Sequence, residues 1–153
     1  MKLKEFDFRI WNGKKYLKQK IYNDNINDNE YIAVTGNVDD ENYVFTIEHG
    51  CERNYHGGDY DEYCKVKDFI SCNYEIELFT GLYDKNGKKI YEGDIIDINA
   101  DPFIFKDIVC MDMIRGIELK ESNYHLCNVI ENFTYGDYID EIEVIGNIHN
   151  NHI

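Results

Sequence analysis

Five residues with ligand or nucleophile chemistry fall close together: His49, Cys51, His56, Cys64 and Cys72. Imidazole and thiolate are what zinc prefers, but structural zinc sites usually announce themselves by a C-x₂₋₄-C pair. No such pair occurs among Cys51, Cys64, Cys72, Cys110 and Cys127. These thiols are read as small apolar residues, Cys110 and Cys127 in the core, with no metal and no cofactor. Cys51 with His125 would suit nucleophilic catalysis, but no local motif marks either residue. Asp94 and Asp97 would need to share a face to divide acid and base roles. Three positions apart on a strand they point to opposite faces, so they are read as a turn former and a solvated residue. Gly57-Gly58 lacks the Lys and the following helix of a phosphate loop. Tyr55, Tyr60, Tyr63 and Tyr74 offer stacking faces, yet acids surround them where single-strand binders carry bases. Tyrosines in such a setting suit a protein interface. No catalytic residue is assigned, and a non-enzymatic protein is expected.

The elements that position these residues are short strands and turns. Residues 3–11 alternate through Leu3, Phe6, Phe8 and Ile10 and end at Trp11. Asn12-Gly13 marks a hairpin, with Tyr16-Leu17 beginning the return strand. Residues 23–30 form a polar loop. Tyr31–Thr35 and Tyr43–Ile47 read as strands about a turn at Gly36-Asn37. His49–Lys67 reads as irregular, with Gly57-Gly58 at its tip. Phe69–Phe79 extends again, with Ile76 and Leu78 alternating against Glu75 and Glu77.

Thr80 to Ile96 is the organising stretch. Asn86-Gly87 predicts a two-residue type I′ turn, which needs φ > 0 at both positions. Asp84 is placed to bond the turn backbone through its carboxylate. Glu92-Gly93-Asp94 is a second turn, and Asp94–Asn99 a strand. Phe103–Val109 and Asp112–Leu119 read as paired strands, and Glu141–Ile148 as the closing one. Residues 122–131 read equally as strand or as a short helix capped by Ser122 with Leu126, Val129 and Ile130 inward. The tail from His149 is expected to fray.

Regularly spaced short strands predict a mainly β fold: a small barrel or sandwich of antiparallel hairpins with at most one or two short helices. At 153 residues, 43% hydrophobic and 14% aromatic, the chain suits a single domain, 1–153, in which 23–70 forms a variable acidic elaboration. No run approaches the roughly 18 apolar residues of a membrane span, and the first residues lack a signal-peptide core. Reduced thiols in the cytoplasm are therefore expected.

Three stretches match one family in order and spacing. Phe8-Arg9-Ile10-Trp11-Asn12 resembles an opening strand written F-R-A-W-D. Thr80–Ile96 resembles T-G-L-x-D-K-N-G-K-x-I-Y-E-G-D-I-V. Glu143-Val144-Ile145-Gly146-Asn147-Ile148-His149-Asn150 resembles E-V-I-G-N-I-Y-E-N. The chain thus resembles the YopX-type proteins of bacteriophages and prophages. Ile10, Asn12 and His149 depart from the pattern. The resemblance implies a β-rich fold and a phage origin in a bacterial host, and it carries no catalytic residue.

Charge suggests the function. The formal net charge is −14, yet residues 1–20 hold seven bases against two acids. Residues 23–62 hold one base, Arg53, against eleven acids: Asp24, Asp28, Glu30, Asp39, Asp40, Glu41, Glu48, Glu52, Asp59, Asp61 and Glu62. Direct nucleic-acid binding is disfavoured over such a surface. Carboxylates, like phosphates, pair with Arg, so these eleven residues are expected to bind a protein. The partner would be a host nucleic-acid-binding or defence protein, inhibited by nucleic-acid mimicry. A phage scaffold or assembly adaptor is the alternative. Phe6, Phe8, Ile10 and Trp11 form an apolar terminal strand through which the chain could form a homo-oligomer.

Overall fold

Apolar residues recur at every second position through much of the chain, and the backbone takes up strands accordingly. The computed structural model describes residues 2–19, 30–36, 43–56 and 59–150. After a 3₁₀ turn at Leu3–Glu5 come β1 (Phe8–Trp11), β2 (Lys18–Gln19), β3 (Glu30–Gly36), β4 (Tyr43–His56) and β5 (Asp59–Asp68). Next are β6 (Glu75–Asp84), β7 (Lys89–Tyr91), β8 (Asp94–Ala100), β9 (Phe103–Asp112) and β10 (Gly116–Leu119). Helix α1 (Leu126–Val129), β11 (Tyr138–Ile139) and β12 (Ile142–Asn147) complete the order. The fold is mainly β, as expected. Its described strands make three sheets, and none closes into a barrel.

Residues 2–9 and 76–150 form one compact unit. Its first sheet runs β1-β6-β11, with β7 also paired to β6. Its second runs β10-β9-β8-β12, antiparallel throughout. Leu82, Ile90, Ile96, Ile98, Val109, Leu119, Leu126 and Ile142 are fully buried in one cluster. Each such side chain stabilises the fold by about 1.5–3 kcal/mol relative to exposure. The 122–131 stretch resolves as a single helical turn that buries Leu126 and Val129, with Ile130 buried just beyond it. Its N-cap is His125, without a side-chain cap, and Ser122 instead accepts the N–H of Tyr124 at 3.4 Å.

The central hairpin differs from the type I′ expectation. Gly87 N–H donates to the Asp84 carbonyl at 3.0 Å, and Gly87 has φ +80°. Asn86 is not among the residues with positive φ. Asp84–Gly87 is therefore a turn closed by one left-handed glycine, the arrangement of a longer hairpin loop ending in a glycine bulge. As expected, the Asp84 carboxylate bonds the turn, accepting from Asn86 N and Lys88 N at 2.9 Å each. Its other oxygen accepts Val144 N at 3.0 Å, tying the central stretch to β12.

Residues 10–75 form a second compact unit. Trp11 bridges Tyr16 across the Asn12-Gly13 turn, and the Asn12 side chain accepts Lys14 N and Lys15 N at 2.9 Å each. The return strand then leaves, because β2 pairs parallel with β3. The sheet runs β2-β3-β4-β5, with Tyr31, Ile32, Ala33 and Ile47 buried. The expected irregular stretch 49–67 is a long antiparallel ladder, from Thr46 opposite Asp68 to His56 opposite Asp59. The stretch carries no period-two apolar pattern in sequence, yet its backbone pairs along this ladder. Asn37 of the expected Gly36-Asn37 turn, most of the 23–30 loop and the Gly57-Gly58 tip lie outside the described residues.

Candidate functional site

Along β6, Ile76 and Leu78 alternate with Glu75 and Glu77, and the face that is buried is the one carrying Glu77. Glu77 and Phe79 are buried, while Ile76 is half exposed. A buried carboxylate requires a partner, and Arg9 on β1 supplies it. Arg9 Nε lies 2.5 Å from Glu77 Oε2, and an Arg9 terminal nitrogen lies 2.7 Å from Asp94 Oδ1. The same nitrogen reaches the Glu92 carbonyl at 3.4 Å. The guanidinium stands 4.6 Å from the centroid of the Tyr91 ring, a cation–π distance.

The centre extends both ways. Glu77 Oε1 meets His149 Nε2 at 2.7 Å, so the expected fraying does not begin at His149. Asp94 Oδ2 accepts Tyr91 N at 2.8 Å. Asp94 is thus a turn former, as expected, but a buried one. Asp97 is half-buried. Asp7 Oδ2 accepts from Lys89 Nζ at 2.8 Å and from the Tyr91 hydroxyl at 2.5 Å.

The electrostatics follow from burial and pairing. Burial pushes the Asp94 carboxyl up, and the Tyr91 N–H and Arg9 offset only part of that. Burial also opposes the charge on Arg9, but Asp94 and Glu77 more than compensate and hold it protonated. Burial likewise opposes the Asp7 charge, yet Lys89, Tyr91 and the Phe8 N–H bring its carboxyl below the usual aspartate value. Burial and the bond to Asp7 raise the Tyr91 hydroxyl well above an ordinary tyrosine.

The groups face one another. No buried side-chain nitrogen or oxygen among the described residues lacks a partner. The types suit acid–base chemistry, but each hydrogen bond named here is made within the centre. What the arrangement does is join the opening, central and closing stretches of the sequence. The sequence reading missed Glu77 and the role of Arg9. The available signal was a single base in an apolar strand, with carboxylates in other strands to receive it.

The eleven expected partner-binding acids are placed as follows. Asp24, Asp28, Asp39, Asp40 and Glu41 lie outside the described residues. Glu30 is occupied within its own unit, accepting from the Tyr74 hydroxyl and from Asn12 Nδ2 at 3.2 Å. That bond pushes the Tyr74 hydroxyl up to about 12. Glu48 is half-buried on β4, opposite Tyr31 on one side and Val66 on the other. The β4–β5 ladder sets Glu52 opposite Tyr63, Glu62 opposite Arg53, Asp61 opposite Asn54 and Asp59 opposite His56. Cys110 is half-buried, but Cys127, expected in the core, is exposed on α1 because Leu126 and Val129 take its inward positions.

The family model described as YopX protein matches residues 7–152. The chain belongs to the YopX family. Two solved structures are similar to it. Protein EF1440 from Enterococcus faecalis shares 20% identity at a TM-score of 0.47, over 94% of this chain and 93% of that one. YopX from Bacillus subtilis shares 17% identity at a TM-score of 0.42, over the same fractions. No curated protein sequence matches. Arg9, Asp94 and His149 all lie within the span of the YopX match.

Proposed function

We propose that this YopX-family chain is a non-enzymatic binding protein that takes a basic protein partner on an acidic surface of residues 10–75. One observation carries this reading: the ionisable groups of the described centre, Arg9, Glu77, Asp94 and His149, are paired with one another. The contacts of Arg9 with Glu77 and Asp94, and of Glu77 with His149, join stretches distant in sequence, as a structural brace does. The net charge of −14 then makes the outer surface the part that discriminates partners.

The β4–β5 ladder is the best support for that surface. Same-face residues on a strand stand roughly 6.6 Å apart, and neighbouring strands about 4.8 Å. Glu52, Asp59 and Asp61 take up neighbouring register positions of that ladder, and carboxylates pair with Arg. Such carboxylates imitate a nucleic-acid backbone, and the phage character of the family makes a host nucleic-acid-binding or defence protein the fitting target. Glu30, held by Tyr74 and Asn12, is removed from the interacting set.

The test is capture from a bacterial host lysate with the tagged full chain, washed at increasing salt. A basic nucleic-acid-binding protein that elutes as salt rises supports the reading. A captured phage structural protein would move the chain to the adaptor class, and turnover of a substrate by the purified chain would end the non-enzymatic reading.

A further inference from the structure

Within residues 76–150, a recess of about 330 Å³ opens beside β10. Small-molecule sites span about 300–1,000 Å³, so this one suits a small ligand. Leu82, Ile117, Phe133 and Tyr135 give it apolar walls. The fold itself fixes those walls. Leu82 is fully buried. Gly136 N–H donates to the Gly81 carbonyl at 2.7 Å. Gly81 has φ +85°, and an added Cβ there would overlap the Tyr135 ring, so the absent side chain is what seats that ring. The Asp137 carboxylate accepts Thr134 N at 2.7 Å and the Thr134 hydroxyl at 3.0 Å, which holds the turn that carries Tyr135.

The polar groups of the lining are unequally committed. The Thr80 hydroxyl donates to the Ile90 carbonyl at 2.7 Å and accepts Leu82 N at 3.2 Å. The Thr134 hydroxyl is spent on Asp137. Arg115 is the one charged residue of the described lining. Its backbone N–H is anchored by the Asp112 carboxylate at 2.9 Å, while its side chain is 69% exposed. Glu118 Oε1 stands 3.9 Å from Arg115 Nη1, too far for a hydrogen bond. The same oxygen lies 3.8 Å from His125 Nδ1. Among the described residues, the guanidinium therefore keeps donors for a planar acceptor at the recess.

We propose that this recess binds a small apolar monocarboxylate, with its body against Leu82, Ile117, Phe133 and Tyr135 and its carboxylate on Arg115. Apolar walls with a single cation select that combination. Arg takes a carboxylate through two parallel hydrogen bonds. A cationic ligand would meet Arg115 and no carboxylate among the described lining residues. A polyanion would hold its further charges against apolar walls, where charge is costly. A neutral apolar molecule would leave the guanidinium unused. The site is separate from the Arg9 centre and from the acidic ladder, so it adds a ligand to the binding role proposed above.

Titration of the isotope-labelled full chain with phenylacetate, followed by NMR at neutral pH and one ionic strength, tests this. Phenylacetate is expected to saturate with a dissociation constant of about 1 mM or tighter. The amides of Arg115, Ile117, Phe133 and Tyr135 are expected to shift. Phenylacetamide keeps the ring without the charge, and acetate keeps the charge without the ring. Each is expected to bind at least about tenfold more weakly. Arg115→Met should lose about tenfold or more for phenylacetate and little for phenylacetamide. Cys127→Trp fills the recess from α1 and should abolish binding of both. Both positions are exposed, and circular dichroism checks that each variant folds. A phenylacetate dissociation constant weaker than about 10 mM overturns the proposal. Equal affinity for the three ligands, or parent affinity in either folded variant, overturns it as well.

Discussion

Arg9 contacts Asp94 at 2.7 Å across 85 positions of sequence, and a second contact binds it to Glu77. Only about a sixth of the Arg9 side chain is exposed, and almost none of either carboxylate. Removing the cation while keeping both acids leaves charge buried without a partner. Arg9→Met is therefore expected to destabilise the chain by about 3–5 kcal/mol. Adding Glu77→Gln and Asp94→Asn should recover part of that loss, because the stranded charges go with them. Urea denaturation of the single and triple variants measures both. A loss below about 1 kcal/mol for Arg9→Met would mean the pair is no better than a surface contact.

The central hairpin separates two neighbouring residues that a type I′ turn would couple. Gly87 holds φ +80°, and an added Cβ would stand 2.9 Å from the Tyr138 ring. Gly87→Ala is expected to cost about 1–2 kcal/mol from backbone strain alone, and Gly87→Val more. Asn86→Ala should cost no more than about 0.5 kcal/mol, as for an exposed position with ordinary backbone. Equal losses at the two positions would restore the type I′ turn. Thermal melting of the three variants decides it.

The fold was legible where strands are rich in apolar residues. Tyr31–Thr35 and Asp94–Asn99 are such runs, Glu141–Ile148 alternates, and strands β3, β8 and β12 lie there. The start of β4 was legible as Tyr43–Ile47, whereas its continuation and β5 were not, because residues 49–67 carry no period-two apolar pattern. The role of Glu77 was not legible, because alternation separates two faces but does not say which is inside. A carboxylate reads as the outer face until its distant partner is known, and Arg9 lies 68 residues away. The Asp84 turn was readable because its hydrogen bonds are local, whereas its bond to Val144 was not.

Asp107 gives a pH dependence with a defined sign. Its carboxylate accepts Ile108 N at 2.7 Å, Glu121 N at 2.8 Å and Ser122 N at 3.0 Å. Burial opposes its charge, but these donors and the Ser122 side chain bring the carboxyl below 3.8. The unfolded chain therefore takes up this proton first as pH falls. The stability Asp107 adds is complete above about pH 5 and is lost as pH drops through 3.8 and below. Asp107→Asn should lower stability at neutral pH and flatten its decline on the acid side. Asp7 shifts in the same direction, so a smaller acid decline remains. Denaturation midpoints from pH 7 to 3 provide the check; parallel curves for variant and parent would contradict the assignment.

The binding account rests on where the acids are, as distinct from how many there are. Reversing Glu52, Asp59 and Asp61 to Lys changes the β4–β5 ladder. Reversing Glu121, Glu131 and Asp140, exposed acids of the other unit, alters net charge by the same amount. Calorimetric titration of the captured partner into both triple variants, at one ionic strength, is the most direct measurement. The account predicts that the first triple loses about tenfold or more in affinity while the second stays within about threefold of the parent. Equal losses would assign the effect to net charge alone, and an unchanged first triple would contradict the acidic ladder as the binding surface.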